Sequence, residues 1–227
     1  MSGCAVVEPL VQDFNIVSVP EEIQIGNKMS AEVARQMPVV RDPLATRSVS
    51  DIGMKLVAAL PRQDFQYHFY LIRDNTPNAF TIPGGTIYVH TGLLDFADDK
   101  SELAGVLAHE ISHAFDRHPA KALSRELGAQ YLSSLLFRDP QSRLRSITVR
   151  LAQGGILTRY SREDELRADE LGYYLLRRAG FRTDGLLRFL RKLQSIDTGS
   201  APLAFLSTHP PTPERIARLE ALERGNL

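Results

Sequence analysis

His109, Glu110 and His113 stand together in the stretch Leu107-Ala108-His109-Glu110-Ile111-Ser112-His113. This is H-E-x-x-H. On a helix, two histidines four residues apart lie on one face about one turn along the axis, so both imidazoles can reach a single ion. Glu110 follows the first histidine and projects beside that ion, where a carboxylate can take a proton from a bound water. The chemistry on offer is metal-assisted hydrolysis. The same residues could instead pack a core-facing helix that holds no metal, and a third ligand separates the two readings.

A catalytic zinc takes three protein ligands and keeps a position for water. Glu165-Leu166-Arg167-Ala168-Asp169 places Glu165 and Asp169 four apart, on one helical face. Glu165 would bind the metal. Asp169, one turn on, would accept a hydrogen bond from the second ring nitrogen of a ligand histidine and fix its tautomer. Ala168 leaves room for close helix packing. Taken alone, such carboxylate pairs are common in surface salt bridges. Following H-E-x-x-H in a helical second half, the pair points to one Zn2+ per chain. His209 sits before Pro210 and Pro211, a rigid setting for a side chain that must aim at something or serve as a turn residue. His68, His90 and His118 read as structural, and Arg215 as a surface ion pair, with support of the His209 region as its other reading.

These residues need a scaffold. Asp98 or Asp99 can cap the H-E-x-x-H helix, with Asp99-x-x-Glu102 resembling a capping box, and Pro119 should stop it just after His118. Before it, Phe65–Ile72, Ala79–Ile82 and Thr86–Val89 read as strands, the last two joined by Pro83-Gly84-Gly85. An edge strand here could pair with an extended peptide, and Asn78, Ala79 and Phe80 are the candidate substrate-binding residues. Residues 4–28, where Pro9, Pro20 and Gly26 would break any long element, read as an extended lead-in, 30–37 as a short helix, and Ser50 or Asp51 as the cap of another. After Pro119, helices are expected over 121–137, 142–157, 161–178, 183–196 and from Pro213. Between 138 and 162 six arginines stand against one acid, Asp139, which reads as a solvated face, with contact to anionic lipid or a partner as the second option and a mobile cover over the site as a further hypothesis. The expected architecture is α+β: a mostly helical, zincin-like metalloprotease fold with one small β-sheet before the H-E-x-x-H helix. Residues 1–28 form the lead-in and residues 29–227 the peptidase domain.

Composition narrows the partners. The 227 residues carry 27 Lys and Arg against 27 Asp and Glu, so net charge offers no case for nucleic acid. No apolar run approaches the length needed to span a bilayer. The single cysteine, Cys4, excludes an internal disulfide framework. Ser2-Gly3-Cys4-Ala5 resembles the end of a bacterial lipoprotein signal; a lipid there would be the route to a membrane surface, and an accidental match is the alternative.

Three motifs in order, H-E-I-S-H at 109–113, S-R-E-D-E-L-R-A-D at 161–169 and T-H-P-P-T-P-E-R-I at 208–216, resemble those of one group of gluzincin endopeptidases. That group holds the CaaX prenyl-protein protease, HtpX and BepA. Residues 77–94 also resemble its substrate-strand region. The resemblance implies that His109, His113 and Glu165 hold zinc, that Glu110 is the general base and that Asp169 is the acid behind a ligand. It further implies that His209 lies near the metal, where it steadies the oxyanion or caps the zinc in a latent state. Without membrane helices or appended repeats, a short periplasmic or cell-envelope member acting on misfolded or envelope polypeptides is the expectation, lipid-anchored if Cys4 is modified, with the cytoplasm as the alternative location. A zinc-stabilised chaperone or binding protein without turnover is the alternative.

Overall fold

A computed structural model describes residues 15–125, 160–196 and 204–225. Cys4, the helices expected over 126–157 and most of the arginine-rich stretch lie outside them. The described chain is mostly helical with one mixed three-stranded sheet.

Its first helix is longer than the sequence suggested. α1 runs Val19–Gln36 without a break, so the supposed extended lead-in is helical from residue 19, and the boundary drawn at 28/29 falls inside a helix. The start is a capping box: Ser18 accepts from Glu21 N–H while the Glu21 carboxylate accepts from Ser18 N–H. Gly26, read as a breaker, is an interior residue; a Cβ there would lie 2.0 Å from the Pro83 carbonyl oxygen. Glycine lets α1 lie against the strand turn. α2, Pro43–Val57, is capped by Asp42 with Pro43 in the first turn, earlier than Ser50 or Asp51.

β1 (His68–Ile72), β2 (Ala79–Ile82) and β3 (Thr86–His90) form a sheet in the order β1-β3-β2. β1 and β3 are parallel and β2 is antiparallel to β3, so among the described residues β2 is an edge. Gly84 and Gly85 take φ of +82° and +89° in the β2–β3 turn, which L side chains rarely adopt. A short α3, Thr91–Phe96, follows β3 directly and contains Gly92.

α4, Lys100–Phe115, is the axis of the fold. Asp99 caps it by accepting from Ser101 and Glu102 N–H, whereas Glu102 reaches back to Asp98 N–H, one residue off a capping box. Every residue from Glu102 to Phe115 is buried. A helix apolar on all sides belongs between other elements, and α4 lies between the sheet, α2, α5 (Arg162–Arg178) and α6 (Gly185–Ile196). Small residues permit this. A Cβ on Gly105 would lie 2.4 Å from Leu186 N, and one on Gly185 would lie 1.9 Å from Ser101 O. Pro119 does not end α4. The helix stops at Phe115, Arg117 turns the chain with φ 59°, and residues 118–125 are helical again. α5 starts at a Ser161–Asp164 capping box, and Gly180, φ +70°, follows its end. α7, Ala204–Thr208, and α8, Pro213–Glu223, bracket His209.

Candidate metal centre

α4, α5 and the α7–α8 loop deliver His109, His113, Glu165 and His209 to one buried place, where one ligating atom of each lies within 4.8 Å of all the others. His109 Nε2 is 3.0 Å from His113 Nε2 and 3.2 Å from His209 Nδ1. Glu165 closes the group: Oε1 is 2.9 Å from His209 Nδ1 and 3.3 Å from His113 Nε2, and Oε2 is 3.4 Å from His109 Nε2. Helical spacing sets the first pair, and the close approach of Gly172 on α5 to the Ala108–His109 backbone sets the third.

Glu110 is fully buried beside this group. Thr81, on β2, donates to Glu110 Oε2 at 2.6 Å. Oε1 has no hydrogen-bond partner and lies 3.3 Å from His209 Nε2. One carboxylate oxygen is therefore fixed and the other is left open beside the cluster. Thr81 was not singled out in the sequence, although its place on the strand leading to the catalytic-type helix was a signal.

Behind the cluster stand further polar groups. Asp169 Oδ1 is 2.9 Å from His109 Nδ1. Arg215 is not a surface pair: at 1% exposure it donates from Nε and Nη2 to both Asp169 oxygens, each at 2.7 Å, and its Nη1 is 2.7 Å from Glu165 Oε2. Nη1 also donates to the Pro210 carbonyl at 3.1 Å, and His209 N–H donates to Phe205 O, so the His209 loop is pinned at both ends. His118 is buried as well, against His113. Tyr160 lies flat on the His113 ring, centroids 4.0 Å apart.

The donor set fits a divalent cation. Glu110, Glu165 and Asp169 against Arg215 leave two uncompensated negative charges in a buried place when the imidazoles are neutral. Without an ion, a proton on His109 would offset one of those two charges. Burial pushes its pKa down, but hydrogen bonds to Asp169 and Glu165 outweigh this and raise it to about 9. Burial and the neighbouring His109 charge hold His113 well below the ordinary value. Burial would raise Glu165, yet His209 and Arg215 keep it well below the usual carboxylate range. Burial holds His118 down, to about 4.

The candidate strand residues are placed differently. Ala79 and Phe80 lie in β2 and Asn78 just before it, and all three side chains are buried; Phe80 stacks on Tyr88 inside the core. Contact with a peptide there would be through backbone. His90 is buried at the start of α3, while His68 is exposed.

Residues 43–223 match Peptidase family M48. The beta-barrel assembly-enhancing protease of Escherichia coli (strain K12) is 32% identical over 221 residues, covering 92% of this chain and 45% of the relative. The mitochondrial metalloendopeptidase OMA1 of Schizosaccharomyces pombe is 31% identical over 216 residues, 91% of this chain and 62% of that protein. Metalloprotease YcaL of Escherichia coli (strain K12) is 32% identical over 157 residues, 66% of this chain and 58% of the relative. The chain thus spans less than half the length of the assembly-enhancing protease it matches. With the H-E-x-x-H helix, the acidic helix behind it and the His209 loop all inside the matched span, the chain belongs to Peptidase family M48.

Proposed function

We propose that this chain is a zinc metalloendopeptidase with a zincin-like fold, hydrolysing peptide bonds in misfolded or envelope proteins. The observation that carries this is the convergence of three imidazoles and a carboxylate on one buried point beside Glu110. His109, His113 and Glu165 would hold the ion. Bound zinc supplies Lewis acidity, which brings the pKa of a coordinated water to about 7 and polarises a carbonyl. Glu110 Oε1 takes the proton of the attacking water and returns it to the leaving amine, while Thr81 keeps the carboxylate aimed. Asp169 holds His109 in the tautomer that presents Nε2. An extended polypeptide substrate would lie along the backbone of β2 near Asn78, Ala79 and Phe80.

His209 sits within reach of all three ligand atoms, which favours a latent enzyme in which it caps the metal. The same closeness supports the alternative, a zinc-stabilised chaperone or binding protein without turnover. His209→Ala separates them: release of latency raises hydrolysis of an unfolded protein, whereas a binding protein stays inactive. We assign the chain to the bacterial periplasm or cell envelope on its likeness to proteases named for β-barrel assembly. No helix among the described residues is long and apolar enough to cross a membrane. A lipid on Cys4 is the attachment we propose, and mass spectrometry of the protein from its own cell would detect it.

The deciding experiment is elemental analysis beside peptide hydrolysis. About one zinc per chain, lost in Glu165→Ala and kept in an inactive Glu110→Gln, is the expected result. A parent without zinc after supplementation, or a fully active Glu110→Gln, would refute the reading.

A further inference from the structure

The two histidines of α4 are braced from behind in different ways. His109 Nδ1 meets a carboxylate directly, that of Asp169. His113 Nδ1 meets another imidazole: His118 Nδ1, 2.8 Å away. His118 Nε2 in turn lies 3.3 Å from Asp164 Oδ1. His118 is 1% exposed and Asp164 7%, so this chain of contacts is screened from water.

The protons along it can be assigned from chemistry, as hydrogens are inferred from the network. His113 Nε2 faces the metal cluster, so when that nitrogen is a ligand the ring proton sits on Nδ1. His118 Nδ1 accepts it. The proton of His118 is then on Nε2, where it points at Asp164 Oδ1 and is met by an acceptor. Every donor in the series has a partner, and each ring is held to one tautomer and one orientation.

Asp164 has a second task. Its Oδ2 accepts from Ser161 N–H at 3.0 Å as the return arm of the α5 capping box, and Arg125 Nη2 donates to the same oxygen at 3.2 Å. Glu165 is the next residue. One carboxylate therefore fixes the start of the helix that brings Glu165 and, through His118, the ring of His113 on α4.

We propose that His118 and Asp164 are positioning residues of the metal centre: Asp164 orients His118, and His118 accepts from His113 Nδ1 and holds His113 Nε2 toward the ion. The inference rests on the metal-centre reading above. Because the carboxylate is one imidazole removed from the ligand, its effect on His113 is smaller than that of Asp169 on His109.

The test compares the parent with His118→Leu and His118→Gln. Leucine fills similar volume without hydrogen bonds; glutamine can accept from His113 and donate to Asp164. Zinc affinity is measured by chelator competition, and ligand geometry by the visible bands of the Co2+-loaded protein. Loss of a polar group behind a ligand weakens metal binding by about 10–100-fold. His118→Leu should fall in that range with altered Co2+ bands, and His118→Gln should recover most of the affinity. Asp164→Asn keeps an acceptor for the α5 cap but removes the charge, and should bind several-fold more weakly even if His118→Leu does not fold. Parent-like affinity and spectrum in His118→Leu would overturn the proposal, as would a His118→Gln no better than leucine, or an Asp164→Asn equal to the parent. A parent that binds no metal would instead overturn the metal-centre reading, and this inference with it.

Discussion

Arg215→Met tests whether the buried guanidinium is part of the centre or merely near it. Methionine keeps much of the side-chain volume and removes a cation that Asp169 and Glu165 share at 2.7 Å contacts, all three groups being nearly sealed from solvent. Breaking a buried ion pair by deleting one partner costs about 3–5 kcal/mol, since the remaining charge stays buried and uncompensated. For a domain of this size each kcal/mol moves Tm by about 2–4 °C, so the metal-free variant should melt roughly 6–20 °C below the metal-free parent. The loss should shrink when zinc is loaded, because a divalent cation restores the missing positive charge. It should also shrink in an Asp169→Asn background, where one of the stranded carboxylates is already gone; groups in contact couple by about 0.5–3 kcal/mol. Thermal unfolding of the four proteins of this cycle, each with and without zinc, reads all three terms. A drop below about 3 °C, or an equal drop with and without Asp169, would refute the charge argument and leave Arg215 as packing.

Three further outcomes follow from the same geometry. A chelator should lower the Tm of the zinc-loaded parent, since a ligand present at 100 to 1,000 times its Kd stabilises the fold by about 2.7–4.1 kcal/mol, and Glu165→Ala should not respond; equal melting curves for the parent would contradict this. Thr81→Val removes the hydrogen bond to Glu110 Oε2 at nearly constant volume, and should lower kcat about tenfold while zinc content is kept; unchanged kcat would show that β2 does not orient the base. Gly105→Ala drives a methyl into the α6 backbone 2.4 Å away, and should cost about 1–3 kcal/mol of stability without displacing the metal; a variant as stable as the parent would show that α4 and α6 can part.

The elements legible in the sequence were those whose signals are local. The helix starts at 161 and at Pro213 and the Pro83-Gly84-Gly85 turn are each written within a few residues, and the helices and hairpin they bound are where the spacing puts them. α1 was missed because Pro20 and Gly26 were weighed as breakers. In the fold Pro20 occupies the first turn, where its absent N–H is not needed, and Gly26 is demanded by the Pro83 carbonyl from another part of the chain. A tertiary contact overrode a local preference. Pro119 misled in the same way: Arg117 had already turned the chain, so the proline begins the next helical stretch.

The candidate site divides along the same line. His109, His113, Glu165 and Asp169 share helical faces at a spacing of four, and such faces can be read one element at a time. What stands behind them cannot. Whether Arg215 is a surface cation or the counter-charge of a sealed carboxylate pair depends on α8 lying across α5, and Arg215 begins α8 much as an exposed arginine would. His118 carried even less signal, since its meaning comes from facing His113 on one side and a helix-capping aspartate from residue 164 on the other. Ligands face an ion and must be histidine or carboxylate, so their chemistry is written in their type. The groups that hold ligands face only one another, and any donor and acceptor that happen to meet will serve. Their identity is therefore set by packing, and packing is what a single sequence states least directly.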